Sequence, residues 1–158
     1  LLTIVRRYTS IVRIRPVSAS DFDQWLRMRR ALWPDADAFD LRSELQGYLE
    51  PTADHAALVA EEPGGRIVGF IELSLRNIVD SCESSPVGYI EGWFVDADRR
   101  HQGVGRALVA AGEAWARGRG CTEMGSDSEL DNTASQAAHR ALGYQETGQV
   151  VNFRRSLD

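Results

Sequence analysis

Two hydrophobic periods alternate along this chain. Residues 11–15, Ile-Val-Arg-Ile-Arg, alternate and predict a first strand, which Pro16 ends or confines to an edge. Phe22, Trp25, Leu26, Met28, Arg29 and Leu32 follow helical spacing. Ser20, with Asp23 three residues on, supplies a cap and an acidic first turn, and Trp33-Pro34 stops the helix. A second amphipathic helix over 41–49 places Leu41, Leu45, Tyr48 and Leu49 on one side. The period then shortens. Strands are predicted over 56–61 and 67–75, joined by the turn signal Pro63-Gly64-Gly65-Arg66, and over 87–95 after a polar loop at 77–86. A long helix over 106–119 is closed by Gly118 and Gly120, and a strand follows over 121–126. An acidic loop at 127–131 leads into an Ala-rich helix over 133–142, capped by Asp131 or Asn132 with Gly143 at its C′ position. Residues 144–154 predict a strand pair interrupted near Gly148. The order β-α-α-β-β-β-α-β-α-β-β predicts an α/β or α+β sheet layer.

Composition narrows the class. At 158 residues, with 43% hydrophobic and 26% charged content, one soluble domain with a real core is expected. Residues 1–10 are expected to be an N-terminal extension and 11–158 the domain itself. No apolar run approaches the roughly 18 residues of a membrane span, and the first ten lack a signal-peptide cleavage pattern. Cys82 and Cys121 form neither a disulfide framework nor a metal-ligand spacing, and no His stands at catalytic spacing from either. A reducing cytoplasm is the expected compartment, without a metal and without a Cys nucleophile. The net charge of −5 argues against nucleic acid as a partner. The acids are unevenly placed: residues 35–54 hold six carboxylates and one base, residues 80–98 five and none, and residues 123–131 four and none. If these segments converge, they form a cleft that draws in a cation; otherwise they are solvated surface.

One stretch carries a more definite chemistry. A strand ending in Trp93-Phe94-Val95 feeds Arg100-His101-Gln102-Gly103-Val104-Gly105-Arg106 at a helix start. Helix-start N–H groups lack intrahelical partners and the helix dipole favours an anion there, so the loop reads as an anion site or, taken alone, as the plain tight packing of a Gly-x-Gly at a helix start. A Walker loop needs Lys-Ser/Thr where Arg106-Ala107 stand, and a dinucleotide fingerprint needs a glycine at Leu108. What remains is Arg-x-x-Gly-x-Gly, from Arg100 to Gly105.

That loop resembles the pyrophosphate-binding loop of the GNAT superfamily of N-acetyltransferases. The resemblance covers nearly the whole chain and narrows to aminoglycoside 6'-N-acetyltransferases on further segments. These are Arg30-Ala31-Leu32-Trp33-Pro34, Cys82-Glu83-Ser84-Ser85-Pro86, Gly125-Ser126-Asp127-Ser128, Asn132-Thr133-Ala134-Ser135-Gln136 and His139-Arg140-Ala141-Leu142-Gly143-Tyr144. It implies a mixed, mostly antiparallel sheet flanked by helices, with acetyl-coenzyme A as co-substrate, a polycationic aminoglycoside as acceptor and a homodimer. It further implies that Trp33, Glu91 and Asp127 line the acceptor site, and that the backbone from Trp93 to Val95 bonds pantetheine and the acetyl carbonyl. Arg100 to Arg106 would hold the pyrophosphate, and Asn132 would touch the coenzyme. Glu91 or Asp127, directly or through water, would receive the amine's proton. His139 stands where many members carry the Tyr that reprotonates the thiolate, and it is equally well a helix-surface residue. Related enzymes have an aromatic near Ile78 and an acid near Gly148, and both are replaced here. Two alternatives stay open: acetylation of another small amine or polyamine, and a non-catalytic coenzyme A-binding module.

Overall fold

In the computed structural model, which describes residues 12–50 and 52–157, five strands form one sheet in the order β1-β2-β3-β4-β5. They are β1 Arg13–Pro16, β2 His55–Glu61, β3 Ile67–Arg76, β4 Val87–Val95 and β5 Met124–Ser126. The first three junctions are antiparallel and the β4–β5 junction is parallel. The helices are α1 Phe22–Leu32, α2 Ala38–Leu49, α3 Val104–Arg117 and α4 Thr133–Ala141. The chain falls into two compact units, one ending at Ser126 and the other, with α4, beginning at Asp127. The expected extension at 1–10 and the first predicted strand residue, Ile11, lie outside the described residues.

Strand alternation decides which helix each residue meets. On β3, Phe70 joins Trp25, Leu26 and Met28 of α1, Leu41 and Leu45 of α2, and Val59 of β2 in one fully buried cluster. Its neighbours Ile71 and Leu73 point to the opposite face and meet α3. A Cβ on Gly112 of α3 would stand 3.0 Å from a Leu73 methyl and 3.3 Å from one of Ile71, so the helix sits close on the sheet. Each large side chain so buried contributes about 1.5–3 kcal/mol. The central strands are therefore covered on both faces, which is why 67–75 carries so little alternation.

Four elements differ from expectation. The first helix is entered through a 3-10 turn, Ala19–Asp21, which Ser18 caps; the N-cap of α1 itself is Asp21, and Ser20 caps neither. The Ser18 N–H donates to Asp21 Oδ2 (2.8 Å) and its hydroxyl donates to the same oxygen (2.9 Å). Arg15 also binds Asp21 through both Nη atoms, at 2.6 and 2.9 Å, and these bonds hold the carboxyl down at about 2. The third helix begins at Val104, two residues early, with Gly103 as its left-handed cap. β5 has three residues because the Cys121 N–H is spent on the Ala116 carbonyl (3.1 Å), closing α3 rather than starting a strand. The strand pair over 144–154 is absent. Val150, Val151 and Phe153 have β propensity, yet they stand 68%, 74% and 93% exposed, with no paired strand among the described residues.

Candidate active site

The site grows from an irregularity in β4. Its ladder with β3 steps from Glu72↔Gly92 to Leu73↔Ile90, leaving Glu91 as the extra residue of a bulge. Glu91 thereby reaches diagonally to the end of β3. Arg76 grips it with Nε to Oε1 (3.1 Å) and Nη2 to Oε2 (2.7 Å), and the Ser74 hydroxyl donates to Oε1. One residue on, Gly92 leaves room for Trp33, the residue that ends α1. A Cβ at position 92 would lie 2.5 Å from the Trp33 ring. The Arg29 guanidinium covers that ring at 4.8 Å.

Trp33 and Glu91 line one cleft of about 710 Å³. Its acidic wall was only partly foreseen: Asp37, Asp40 and Glu44 come from the first acidic segment, and Glu72 joins Glu91 from the sheet. Tyr48 and His55 complete the far side. The His55 Nε2–H donates to the Gly47 carbonyl at 3.0 Å, and the ring meets Tyr48 edge-on, tying the end of α2 to β2. Two of the three acidic segments contribute to this cleft. In the third, Glu123 instead accepts the N–H groups of Glu83 (2.9 Å) and Ser84 (2.6 Å) and holds the 77–86 loop.

Glu72 was missed, although an acid inside the apolar run 67–75 is a signal in itself. It is 1% exposed, accepts the Trp25 indole N–H at 2.9 Å, and lies 3.2 Å from Arg29 Nε. That nitrogen makes no hydrogen bond. Arg29 continues to the Leu41 carbonyl (3.2 Å) and to Glu44 (2.6 Å), which pins α2 over the sheet. Burial pushes the Glu72 carboxyl up from 4.5 to about 7, against Arg29 and the Trp25 hydrogen bond. Its proton is thus held more tightly in the folded than in the unfolded chain. Folding stability is expected to fall as pH rises from about 4.5 through about 7, by up to about 3 kcal/mol. Glu72→Gln removes this dependence. The melting-temperature difference, variant minus wild type, is expected to grow between pH 5 and pH 8; a constant difference would contradict it.

The expected coenzyme slot has a visible basis. β5 pairs with β4 only at Gly88, Tyr89 and Ile90, so beyond Ile90 the second edge of β4 carries no strand among the described residues. Trp93, Phe94 and Val95 lie along that open edge. The Val95 carbonyl accepts Arg100 Nε at 3.0 Å, and the Arg100 guanidinium stands 5.8 Å from the Phe94 ring. Gln102 donates to the Asp98 carbonyl at 2.9 Å. Asp96, at the start of this turn, is held by both Nη atoms of Arg27 (2.8 and 2.9 Å) and by Arg66 (3.2 Å). His101 (φ +60°) and Gly103 (φ +88°) are left-handed, and no side chain caps α3. Val104 is buried, and Arg106 lies in the first turn of the helix. A pyrophosphate fits such an uncapped, arginine-flanked helix start. Gly105 serves differently from Gly103: its Cβ would fall 2.7 Å from the Trp93 ring.

The remaining predicted residues belong to the second unit. β5 ends at Ser126, paired with Ile90, and Asp127 is the next residue. Asn132 caps α4, its Oδ1 accepting the Ser135 N–H at 3.0 Å. His139 donates its Nδ1 proton to the Ser135 carbonyl (2.8 Å) and meets Tyr144 edge-on. Burial raises both cysteine thiols above their usual range, which disfavours a thiolate nucleophile.

A model of the acetyltransferase (GNAT) family matches residues 21–144. An aminoglycoside N(6')-acetyltransferase type 1 of Klebsiella aerogenes is 47% identical over 146 residues, covering 91% of this chain and 96% of its own. One from Stenotrophomonas maltophilia is 45% identical, covering 92% and 94%. Among solved structures, AAC(6')-Iy in complex with the bisubstrate analogue CoA-S-monomethyl-acetylneamine superposes with a TM-score of 0.85 at 34% identity, over 93% of this chain and 99% of that one. AAC(6')-Ih from Acinetobacter baumannii gives 0.86 at 36% identity, over 94% and 100%.

Proposed function

This chain belongs to the acetyltransferase (GNAT) family, and from that premise we propose that it moves acetyl from acetyl-coenzyme A to the 6'-amine of aminoglycoside antibiotics. The observation that carries this reading is the acidic cleft, where Asp37, Asp40, Glu44, Glu72 and Glu91 surround one cavity beside an aromatic wall. Such a cavity suits a polycation with apolar ring faces. The relatives named above, and the coenzyme-linked aminoglycoside analogue bound to one of them, support the substrate pair.

The coenzyme supplies an activated thioester, so no enzyme nucleophile is required. The chain's own residues have three tasks. The Arg100–Arg106 segment holds pyrophosphate on the α3 N-terminus, and the open edge of β4 from Trp93 to Val95 offers backbone hydrogen bonds to the arm and the carbonyl oxygen. Asn132 belongs to the same coenzyme contact. Glu91 holds the ammonium against Trp33, and Asp127 accepts its proton. His139, its Nδ1 proton fixed on Ser135, acts through Nε2 in returning a proton to the departing thiolate. We extend the reading to a homodimer, because Val150, Val151, Phe153 and Leu157 form an exposed apolar tail that a second copy can cover. The cytoplasm is the compartment in which the coenzyme is available. A second reading, acetylation of a smaller polyamine, draws on Ile78 and Gly148, where related drug-modifying enzymes carry an aromatic and an acid.

Thiol release from acetyl-coenzyme A tests this. Turnover is expected with an aminoglycoside bearing a 6'-amine and not with the same scaffold bearing a 6'-hydroxyl. The drug's KM is expected to rise about 3–10-fold from about 0.05 to 0.5 M salt as the cleft is screened, without a parallel change in the coenzyme's KM. Preference for spermidine would move the assignment to the second reading, and absence of turnover with every amine would overturn both.

A further inference from the structure

We propose that Arg76 is a resident counter-ion for the acceptor site: it neutralises Glu91 while the cleft is empty and weakens every acceptor ammonium that must displace it. This rests on the reading that Glu91 holds the substrate ammonium. Three observations carry it. Arg76 binds both Glu91 oxygens, at 3.1 and 2.7 Å, in the forked geometry that gives guanidinium–carboxylate pairs their strength. Its guanidinium also lies 3.4 Å from the centroid of the Tyr89 ring, so the fork is stacked on β4. Finally, Arg76 is 41% exposed and Glu91, which lines the cleft, 29%, so an incoming cation can reach the carboxylate and compete for it.

An acceptor with a single ammonium must then exchange one ion pair for another, with no net gain. A polycation differs because its other ammonium groups meet Asp37 and Asp40 across the same cavity. Those contacts add to its binding without competing with Arg76. The guanidinium therefore weakens every acceptor at Glu91 by about the same factor, and only an acceptor with further ammonium contacts binds tightly in spite of it. Ser74 makes this separable from orientation. Its hydroxyl still holds Glu91 Oε1 when Arg76 is gone, so the carboxylate keeps its direction.

The test compares Arg76→Gln, Arg76→Lys and Glu91→Gln in the full chain. KM and the calorimetric Kd are measured for an aminoglycoside and for a monoamine such as benzylamine. Arg76→Gln is expected to lower both constants about 5–10-fold for the monoamine and for the aminoglycoside alike. Arg76→Lys keeps the charge and is expected to stay within about 2-fold of wild type for both. Glu91→Gln is expected to weaken both amines. If Arg76→Gln leaves both amines unchanged or weakens both while Glu91→Gln weakens them, the counter-ion role is wrong and the Glu91 assignment stands. If Arg76→Lys matches Arg76→Gln, charge is not the cause and the role is likewise wrong. If Glu91→Gln changes neither amine, the Glu91 assignment fails and takes the Arg76 role with it.

Discussion

Replacing Asp127 with Asn is expected to lower kcat by about 10²–10⁴-fold, with part of the loss returning as pH rises. An amine near neutral pH is mostly protonated, and only its free base attacks a thioester. The site must therefore hold the cation and then remove a proton, and on the reading proposed above these two tasks fall to different carboxylates. Glu91 is committed to Arg76 and Ser74, which suits it to holding charge. Asp127 follows directly on Ser126, the β5 residue paired with Ile90, and Ile90 itself precedes Glu91. Asn keeps the shape and hydrogen-bonding capacity of Asp while removing the basic oxygen. Above neutral pH the free amine fraction grows about tenfold per pH unit until its pKa is reached, which is why the variant recovers. A raised KM with unchanged kcat would mean that Asp127 only binds. Wild-type kcat and kcat/KM across the pH range would remove it from the site.

Much of this was legible because local chemistry and tertiary structure agree. The apolar runs at 67–75 and 87–95 are the buried centre of the sheet, and Arg100 to Gly105 lies where a strand meets a helix start. Trp33 and Glu91 do line one cleft. What escaped depends on packing that spacing does not carry. Ser18, not Ser20, caps the turn that enters α1 because Asp21 also answers to Arg15, which is on a strand. The bulge at Glu91 leaves no mark on the sequence, yet it decides that this acid meets Ser74 and Arg76. Glu72 is an acid within an apolar strand run, and its partners, Trp25 and Arg29, lie more than forty residues away on α1. The tail at 144–157 has the composition of strands but no neighbour to pair with among the described residues, and a strand requires one.

The two glycines of the anion loop looked interchangeable in the sequence, and the structure separates them into distinct experiments. Gly103 sits at φ +88° with nothing within 4 Å of an added Cβ, so a side chain there meets strain rather than collision. A β-branched residue held left-handed costs about 1–3 kcal/mol. Gly103→Val is expected to relieve that cost by turning the loop away from the geometry that presents the first N–H groups of α3. If binding requires that geometry, coenzyme affinity falls about 5–150-fold while the melting temperature changes little, since the loop surface is exposed. Gly105 has ordinary helical backbone, but its Cβ would stand 2.7 Å from the Trp93 ring, which is packed beneath it. Gly105→Val therefore pushes on β4 itself and is expected to lower stability and coenzyme affinity together. Titration calorimetry with coenzyme A and thermal melts of both variants distinguish the cases. Unchanged affinity in Gly103→Val would show that the α3 N-terminus does not hold the pyrophosphate. A Gly105→Val variant as stable as wild type would show that the Trp93 ring can leave its place at no cost.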